Sequence, residues 1–316
     1  MTRVCIIVNT QSANGRTGRR LTELASLAKV LGDVEVRATR AQGHATELAR
    51  EASTEGFDLL LCVGGDGTVN EVVNGLFDED EVIAPGLALG VVPSGTGGDL
   101  VRSLNMPRGW REAIAAIAAG SDERVDVISG VMRGHDGHQV RRLCINVAGW
   151  GVNGEVVARV NRSSKALGGR FTFLAATISS ALSYQAPIVH MSWREADGVK
   201  GTWSGRMMSG FAANGHYVGG GMLVGKGASM CDGVVEMLVL PPLSPIQTLS
   251  SMRRLYDGSV RGLAGVQHAA VRWLRVEAEG TTEVLVDFDG EQPGMLPLEL
   301  KVLADQLTVR APWGRS

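Results

Sequence analysis

Two hydrophobic periods alternate along the first 130 residues. RVCIIVN, from Arg3, is a continuous apolar run of strand length. Leu21, Leu24, Ala25 and Ala28 then recur at i, i+3, i+4 and i+7, one face of a helix. DVEVRAT reads as a strand, and Ala45, Leu48, Ala49 and Ala52 repeat the helical spacing. DLLLCV is a strand followed by a helix over Val69 to Leu76. LALGVV is a strand ending at Pro93, with one helix from about Leu100 and another carrying Trp110, Ala113, Ile114 and Ile117. Strand–helix units in this order predict a mainly parallel sheet with helices on both faces. Such sheets bind ligands at the carboxyl ends of their strands.

The pattern changes near Asp126 to Gly130. RVDVISGVM, RRLCINVAG, IVHMSW, GRMMSGFAANG, VVEMLVLPP, VRWLRVEAE, TEVLVDFDG, LPLELKVLA and QLTVRAPW read as strands. His135-Asp136-Gly137 and Ala196-Asp197-Gly198 mark turns between them. This predicts an antiparallel β-rich domain with helical stretches at about Val156 to Ser183 and Ile246 to Val260. Phe171 to Trp193 carries no Asp, Glu, Lys or Arg. Its serines, threonines, Gln185, Pro187 and His190 make it too polar for a membrane span, which needs about 20 predominantly apolar residues. It reads as a buried helix ending near Tyr184 and a strand from Ile188.

Composition narrows the function classes. The 316 residues suit two domains, and 44% apolar with 20% charged residues is ordinary for a soluble globular chain. A net charge of −2 gives no basic surface for nucleic acid. The 42 glycines exceed the usual share of about 7% without a repeat, so they mark turns and close backbone approaches. Cys5, Cys62, Cys144 and Cys231 lack metal-ligand spacing and read as reduced core thiols of a cytoplasmic protein. An apolar strand begins within three residues of the start, which reads as no signal peptide.

Three glycine-rich loops follow strands in the first half: NTQSANGRTGRR (Asn9 to Arg20), GGDGTVNE (Gly64 to Glu71) and PSGTGGD (Pro93 to Asp99). Glycine lets backbone N–H groups approach anionic oxygens, and a following helix adds its positive end. Thr68 and Thr96 add hydroxyl donors, and Arg16, Arg19 and Arg20 add positive charge. Asp66 would repel a bare triphosphate but suits one carried with Mg²⁺. Thr68 to Glu71 also fits a capping box, and Asp99 sits where a helix N-cap would sit. No GxxxxGK[ST] and no strand-bound GxGxxG is present. In the second half, Asp232-Gly233 and Asp289-Gly290 fit hairpin turns as well as sites. ANGHYVGGGMLVGKGA (Ala213 to Ala228) holds more glycine than a turn needs and fits a cleft lining.

Taken in order, these segments resemble the diacylglycerol kinase catalytic-domain family, in particular soluble bacterial lipid kinases related to sphingosine and ceramide kinases. GGDGTVNEVVNGL, PSGTGGDLVRSL, ANGHYVGGGM with ASMCDGVVEM, VDFDGE and VNTQSANGRTG carry the likeness. GGDGT alone is shared with NAD kinases and phosphofructokinases. The resemblance implies an NAD kinase/phosphofructokinase-like α/β domain over 1–128 and a β-rich lipid-substrate domain over 129–304. It also implies a last strand (about 305–316) that returns to the first domain. It implies ATP at Asn9, Thr39, Gly64, Gly65, Asp66, Gly67, Thr68, Val69, Asn70, Gly95 and Thr96. Asp66 and Asp99 would organise catalytic Mg²⁺ and the phosphoryl group, and Glu291 would be the acid/base near the lipid hydroxyl. A structural Mg²⁺ is implied at Ser229, Asp232 and Val234. The family usually has Asn at Gly98, proline at Thr10, and Ala-Pro where this chain has VGKGA. The implied reaction is ATP-dependent phosphorylation of a diacylglycerol-, phosphatidylglycerol- or sphingoid-type lipid in an interdomain cleft. The alternatives are an NAD kinase-like small-molecule kinase and a silent nucleotide- or lipid-binding protein. The partner would be a lipid at the membrane surface, met by transient peripheral contact from the cytoplasm without a stable anchor. Arg159, Arg162, Lys165 and Arg170 are candidates for anionic headgroups or an ordinary solvated face. The oligomeric state stays open, a homodimer included.

Overall fold

A computed structural model of the chain describes residues 1–13, 15–95, 98–162 and 184–313. The chain divides into two compact units, Met1–Val127 with Asp305–Ser316, and Ile128–Ala304.

The first unit is the mainly parallel α/β sheet that the hydrophobic periods predict. In order it holds β1 (Arg3–Val8), α1 (Leu21–Ala28), β2 (Asp33–Ala38), α2 (His44–Thr54), β3 (Leu59–Gly64) and α3 (Asp66–Gly75). A short hairpin of β4 (Phe77–Asp78) and β5 (Glu81–Val82) follows, then β6 (Ala88–Pro93), α4 (Asp99–Ser103) and α5 (Trp110–Ala119). Strand order is β6-β3-β1-β2, all parallel. All six residues of β3 are buried, as expected of a central strand covered on both faces. In α2, Ala45, Leu48, Ala49 and Ala52 are the buried residues, the face their spacing predicts. Gly75 lets α3 lie close against α2, because a Cβ there would stand 2.3 Å from the Thr46 carbonyl oxygen.

α3 starts three residues earlier than its apolar pattern predicts. Gly65 is the N-cap, in extended conformation, and its carbonyl accepts the N–H groups of Thr68 and Val69. Asp66 and Gly67 therefore form the first turn, which hydrophobic periodicity cannot register.

The second unit is antiparallel and β-rich. β7 (Ser121–Arg133) leads into it and pairs with β8 (Gln139–Cys144). Next come β9 (Val147–Gly151), α6 (Val152–Arg162), β10 (Ile188–Glu195), β11 (Lys200–Arg206), β12 (Ser209–Ala213), β13 (Tyr217–Val218) and β14 (Met222–Leu223). The rest are β15 (Val235–Leu240), α7 (Pro245–Asp257), β16 (Gln267–Ala278), β17 (Leu285–Phe288) and β18 (Glu291–Ala311). Strands β16-β15-β12-β9-β17-β18 run in sequence, and β18 pairs back with β16, closing a ring. Trp150 and Phe288 are its largest fully buried side chains. Gly210 makes room for the indole, since a Cβ there would meet Trp150 Cε2 at 2.1 Å. Of the helix expected over Val156 to Ser183, α6 covers the part as far as Arg162, and residues 163–183 lie outside the described residues. Lys165 and Arg170, and the side chain of Arg162, fall there too.

Beyond residue 304, β18 adds to the parallel sheet of the first unit, with Val309 opposite Leu89. Of the four cysteines, Cys5, Cys62 and Cys144 are buried. Cys231 is exposed and corrects the core reading, because it lies in a turn outside any strand.

Candidate active site

In the first unit the parallel register puts Val8 beside Ala38 and Val63, and Gly64 beside Pro93. The loops that begin at Asn9, Thr39, Gly65 and Ser94 therefore leave one rim of the sheet. Asn9 binds two of them together. Its N–H donates to the Val63 carbonyl at 3.0 Å and its side-chain amide donates to Thr68 Oγ1 at 3.0 Å. Thr68 is buried, and its own O–H remains a donor. Thr39 joins the rim through its N–H on the Val8 carbonyl, 2.9 Å away.

Asp66 answers for itself. Its Oδ2 accepts the N–H of Gly98 at 2.9 Å and that of Asp99 at 3.4 Å. The acid of the second loop thus caps the helix that opens the third. Asp99 is the first residue of α4 and is buried, and the N-cap is Gly98. The N-cap expected at Asp99 is corrected: the chain enters the helix through Gly98 at φ +129°, a conformation that favours glycine. A Cβ on Gly98 would also stand 2.8 Å from Val101 Cγ2. This gives a physical reason for glycine at position 98.

Glu71 does not cap its own helix. Its Oε2 accepts the N–H of Ala45 at 3.2 Å, in the first turn of α2, and its carbonyl accepts the Thr46 hydroxyl at 2.9 Å. The capping-box reading fails because α3 starts at Asp66, which leaves Thr68 inside the first turn. Val69 is buried with its N–H on Gly65, and Asn70 is buried with its Oδ1 accepting Asn74 Nδ2 at 3.2 Å. Gly65, Asp66, Gly67 and Gly95 are accessible on the rim. Thr96 lies outside the described residues.

Sequence reasoning missed a hydroxyl cluster. Thr17 Oγ1 stands 2.7 Å from Ser12 Oγ and 2.5 Å from Ser94 Oγ. It ties the first loop to the third, and Ser12 also donates to the Asn9 carbonyl at 2.7 Å. Its only signal in the sequence is three hydroxyls in loops assigned to the same rim. Of the arginines offered as phosphate partners, Arg20 pairs with Glu23 at 2.7 Å and lies over the Trp110 ring, and Arg16 donates to the Ala13 carbonyl at 3.1 Å.

In the second unit, β17 turns into β18 through Asp289 and Gly290, both at positive φ, with Phe288 opposite Glu291. This is the tight hairpin that Asp-Gly predicts. The Asp289 carboxylate accepts the N–H groups of Ile145, Asn146 and Val147, each at 3.0 Å. The buried Cys144 thiol donates to Asp289 Oδ1 at 3.0 Å, and burial, then the Asp289 charge, push its pKa up. Glu291 starts β18 and is half-buried. Asp287, which sequence reasoning passed over, is buried and takes the Gly290 N–H at 2.8 Å. Burial raises its pKa to about 8, with further contributions from Asp289 and Glu291.

Asp232 lies at the surface in a turn, its Oδ1 accepting the Val234 N–H at 3.2 Å. Partial burial of the carboxyl, together with the Glu236 charge, raises its pKa. Ser229 is exposed and its Oγ accepts the Cys231 N–H at 3.3 Å. Among the described residues no three His, Cys, Asp or Glu side chains converge on a point. The expected set here holds a single carboxylate and two backbone oxygens.

Comparison with known proteins accounts for nearly the whole chain. The model of the diacylglycerol kinase catalytic domain matches residues 3–129, and that of the YegS C-terminal NAD kinase beta sandwich-like domain matches 146–311. A diacylglycerol kinase of Bacillus subtilis (strain 168) is 30% identical over 99% of this chain and 97% of its own. A probable lipid kinase YegS-like protein of Stenotrophomonas maltophilia (strain K279a) is 24% identical over 89% of this chain and 87% of its own. The crystal structure of a diacylglycerol kinase from Bacillus anthracis str. Sterne superposes with a TM-score of 0.69 at 22% identity, covering 98% of this chain and 96% of that one. Yeast NADH kinase complexed with NADH superposes with a TM-score of 0.53 at 12% identity, covering 100% of this chain and 84% of that one, and shares the fold. The order of the motifs, the two matched domains and the full-length likeness agree: this chain belongs to the bacterial diacylglycerol kinase and YegS-like lipid kinase family.

Proposed function

We propose that the protein transfers the γ-phosphoryl group of ATP to the hydroxyl of a diacylglycerol-, phosphatidylglycerol- or sphingoid-type lipid. The observation that carries this reading is the Asp66 brace. One carboxylate holds the Gly98–Asp99 N–H groups while Asn9 holds Thr68, so three phosphate-type loops form one preorganised rim. Phosphoryl transfer gains most from such positioning, because little covalent help is needed. The lipid oxygen forms a bond to the γ-phosphorus, the bond to the β-phosphate bridging oxygen breaks, and ADP leaves. Glu291 takes the hydroxyl proton.

Mg²⁺ suits the residues present. Asp66 and Asp99 offer the oxygen donors a hard cation takes. At Asp232, one carboxylate beside backbone oxygens, with the Glu236 charge nearby, is a donor set of the hard oxygen type. When bound, Mg²⁺ would neutralise phosphate charge at Asp66 and Asp99, and steady the turn through Asp232 with the backbone oxygens of Ser229 and Val234.

Radiolabelled ATP with diacylglycerol, phosphatidylglycerol, ceramide, sphingosine and NAD tests the reading. Label in a lipid product is the expected result. Transfer to NAD and to no lipid overturns it in favour of a small-molecule kinase. Saturable ATP or lipid binding without transfer overturns it in favour of a silent binding protein.

A further inference from the structure

We propose that the C-terminal end of α7, from Arg253 to Tyr256, with Lys226 beside it, is a docking surface for a membrane rich in anionic lipid. α7 is a well-made element. Ser244 caps it in a reciprocal pair with Gln247, Pro245 occupies its first turn, and Gly258 closes it at φ +71°. Leu255 and the following Val260 pack with Phe211, Met222 and Leu238, so the helix is fixed to the glycine-rich segment. Lys226 belongs to that segment and reaches the same place: a Cβ on Gly258 would stand 2.8 Å from Lys226 Cδ.

The charge on this face is unbalanced. Lys226, Arg253 and Arg254 are all exposed, and none has a carboxylate within ion-pair distance among the described residues. Elsewhere Arg20, Arg37, Arg50, Arg261, Arg275 and Arg310 each hold an acid. Between Pro241 and Gly262 the one acid is Asp257. Its carboxylate accepts the Ser259 N–H at 2.8 Å, and the Ser259 bonds, then Arg253 and Lys226, hold its pKa down. One charge engaged by Ser259 cannot offset three cations. Tyr256, three residues beyond Arg253, is 44% exposed. Exposed cations with a tyrosine beside them fit the headgroup level of a bilayer, where a ring sits half in and half out of the apolar layer. The choice of a lipid surface over an acidic protein rests on the lipid-kinase reading.

Co-sedimentation of the full chain with phosphatidylcholine vesicles, with and without phosphatidylglycerol, tests the proposal. The comparison is the triple variant Lys226→Glu, Arg253→Glu, Arg254→Glu, with its folding checked by circular dichroism. The wild type should bind the anionic vesicles in a salt-sensitive way. Replacing the three side chains by neutral Gln should weaken binding on the order of 100-fold, about 5-fold for each cation, and the Glu variant should lose more. Phosphorylation of a short-chain lipid below its micelle concentration should stay at the wild-type level in a variant that changes only Arg253→Glu and Arg254→Glu, since Lys226 belongs to the glycine-rich segment. Wild-type binding by the variants overturns the proposal. So does an equal loss on the short-chain lipid in the double variant, which would assign the two arginines to the reaction itself. Tighter binding to polyglutamate than to anionic vesicles overturns it in favour of an acidic protein. A wild type that phosphorylates no lipid, yet binds anionic vesicles through these side chains, sinks the kinase reading and leaves the docking surface standing.

Discussion

Asp287 has a pKa pushed far above the ordinary carboxylate value. It is buried in β17, has the Gly290 N–H as a partner, and stands two residues from Asp289 and four from Glu291. Burial and those two charges lift its pKa to about 8. In the unfolded chain an aspartate titrates near pH ~3.9. Between those values the unfolded state binds fewer protons than the folded one, so stability falls as pH rises through that window and levels off above it. The slope per titrating group is about 1.4 kcal/mol per pH unit. Asp287→Asn should abolish that decline while keeping an acceptor for Gly290. Urea midpoints measured across the window check it, and parallel slopes for variant and wild type would mean that Asp287 is ionised. Glu291 poses a different question at the same turn. Glu291→Gln keeps the shape and removes the base, so lipid phosphorylation should fall roughly 100-fold or more with the melting temperature little changed. Turnover near wild type in the folded variant would exclude Glu291 as the base.

α3 works as a strut through its two acids. Asp66 caps α4 across 33 residues of chain, and Glu71 caps α2 across 26. Losing a side-chain cap costs about 1 kcal/mol. Glu71→Ala should therefore destabilise the protein by about that much and leave turnover per folded molecule unchanged, as denaturation and kinase assays on one sample would show. A large fall in turnover at unchanged stability would instead place Glu71 in the chemistry. Asp66→Ala should combine a similar stability loss with a large loss of activity, since it also frees the loop that carries Asp99. Neither strut was visible beforehand, for a physical reason. Capping boxes are recognised by spacing within one helix, whereas these partners come from other helices and leave no local pattern. The Thr68–Glu71 spacing fitted the local rule and misled. The hydroxyl cluster of Ser12, Thr17 and Ser94 was hidden for the same reason, since its bonds span up to 82 residues. What period and glycine content do encode, the strand–helix alternation and the three loops on one rim, was legible throughout.

At the scale of the whole molecule, the chain leaves the first unit after Val127 and comes back at Asp305. Periodicity predicted a parallel sheet and a β-rich half, but a strand near the C-terminus that completes the first sheet has the same apolar pattern as any other. Only the family resemblance raised its return. The return brings Leu307, Val309 and Ala311 into the core, each at most 1% exposed, and pairs Arg310 with Asp122 through two short bonds of 2.6 and 2.7 Å. Burying a leucine and a valine contributes about 1.5–3 kcal/mol each. Against a typical domain stability of about 5–15 kcal/mol, losing both removes a large fraction, and it leaves the apolar edge of β6 open to association. Residues 1–127 alone should therefore aggregate or melt without cooperativity. The crossing points lie together, since the Asp305 N–H donates to Asp126 Oδ1 at 2.9 Å. A short glycine-serine linker from Val127 to Asp305 should then give a cooperatively folding unit, and adding Leu307→Ala and Val309→Ala to it should undo the gain. Calorimetry and hydrogen exchange on β3 and β6 distinguish the cases. Protection of β3 and β6 in residues 1–127 equal to that in the linked chain would show that the returning strand is an ornament on a unit already stable without it.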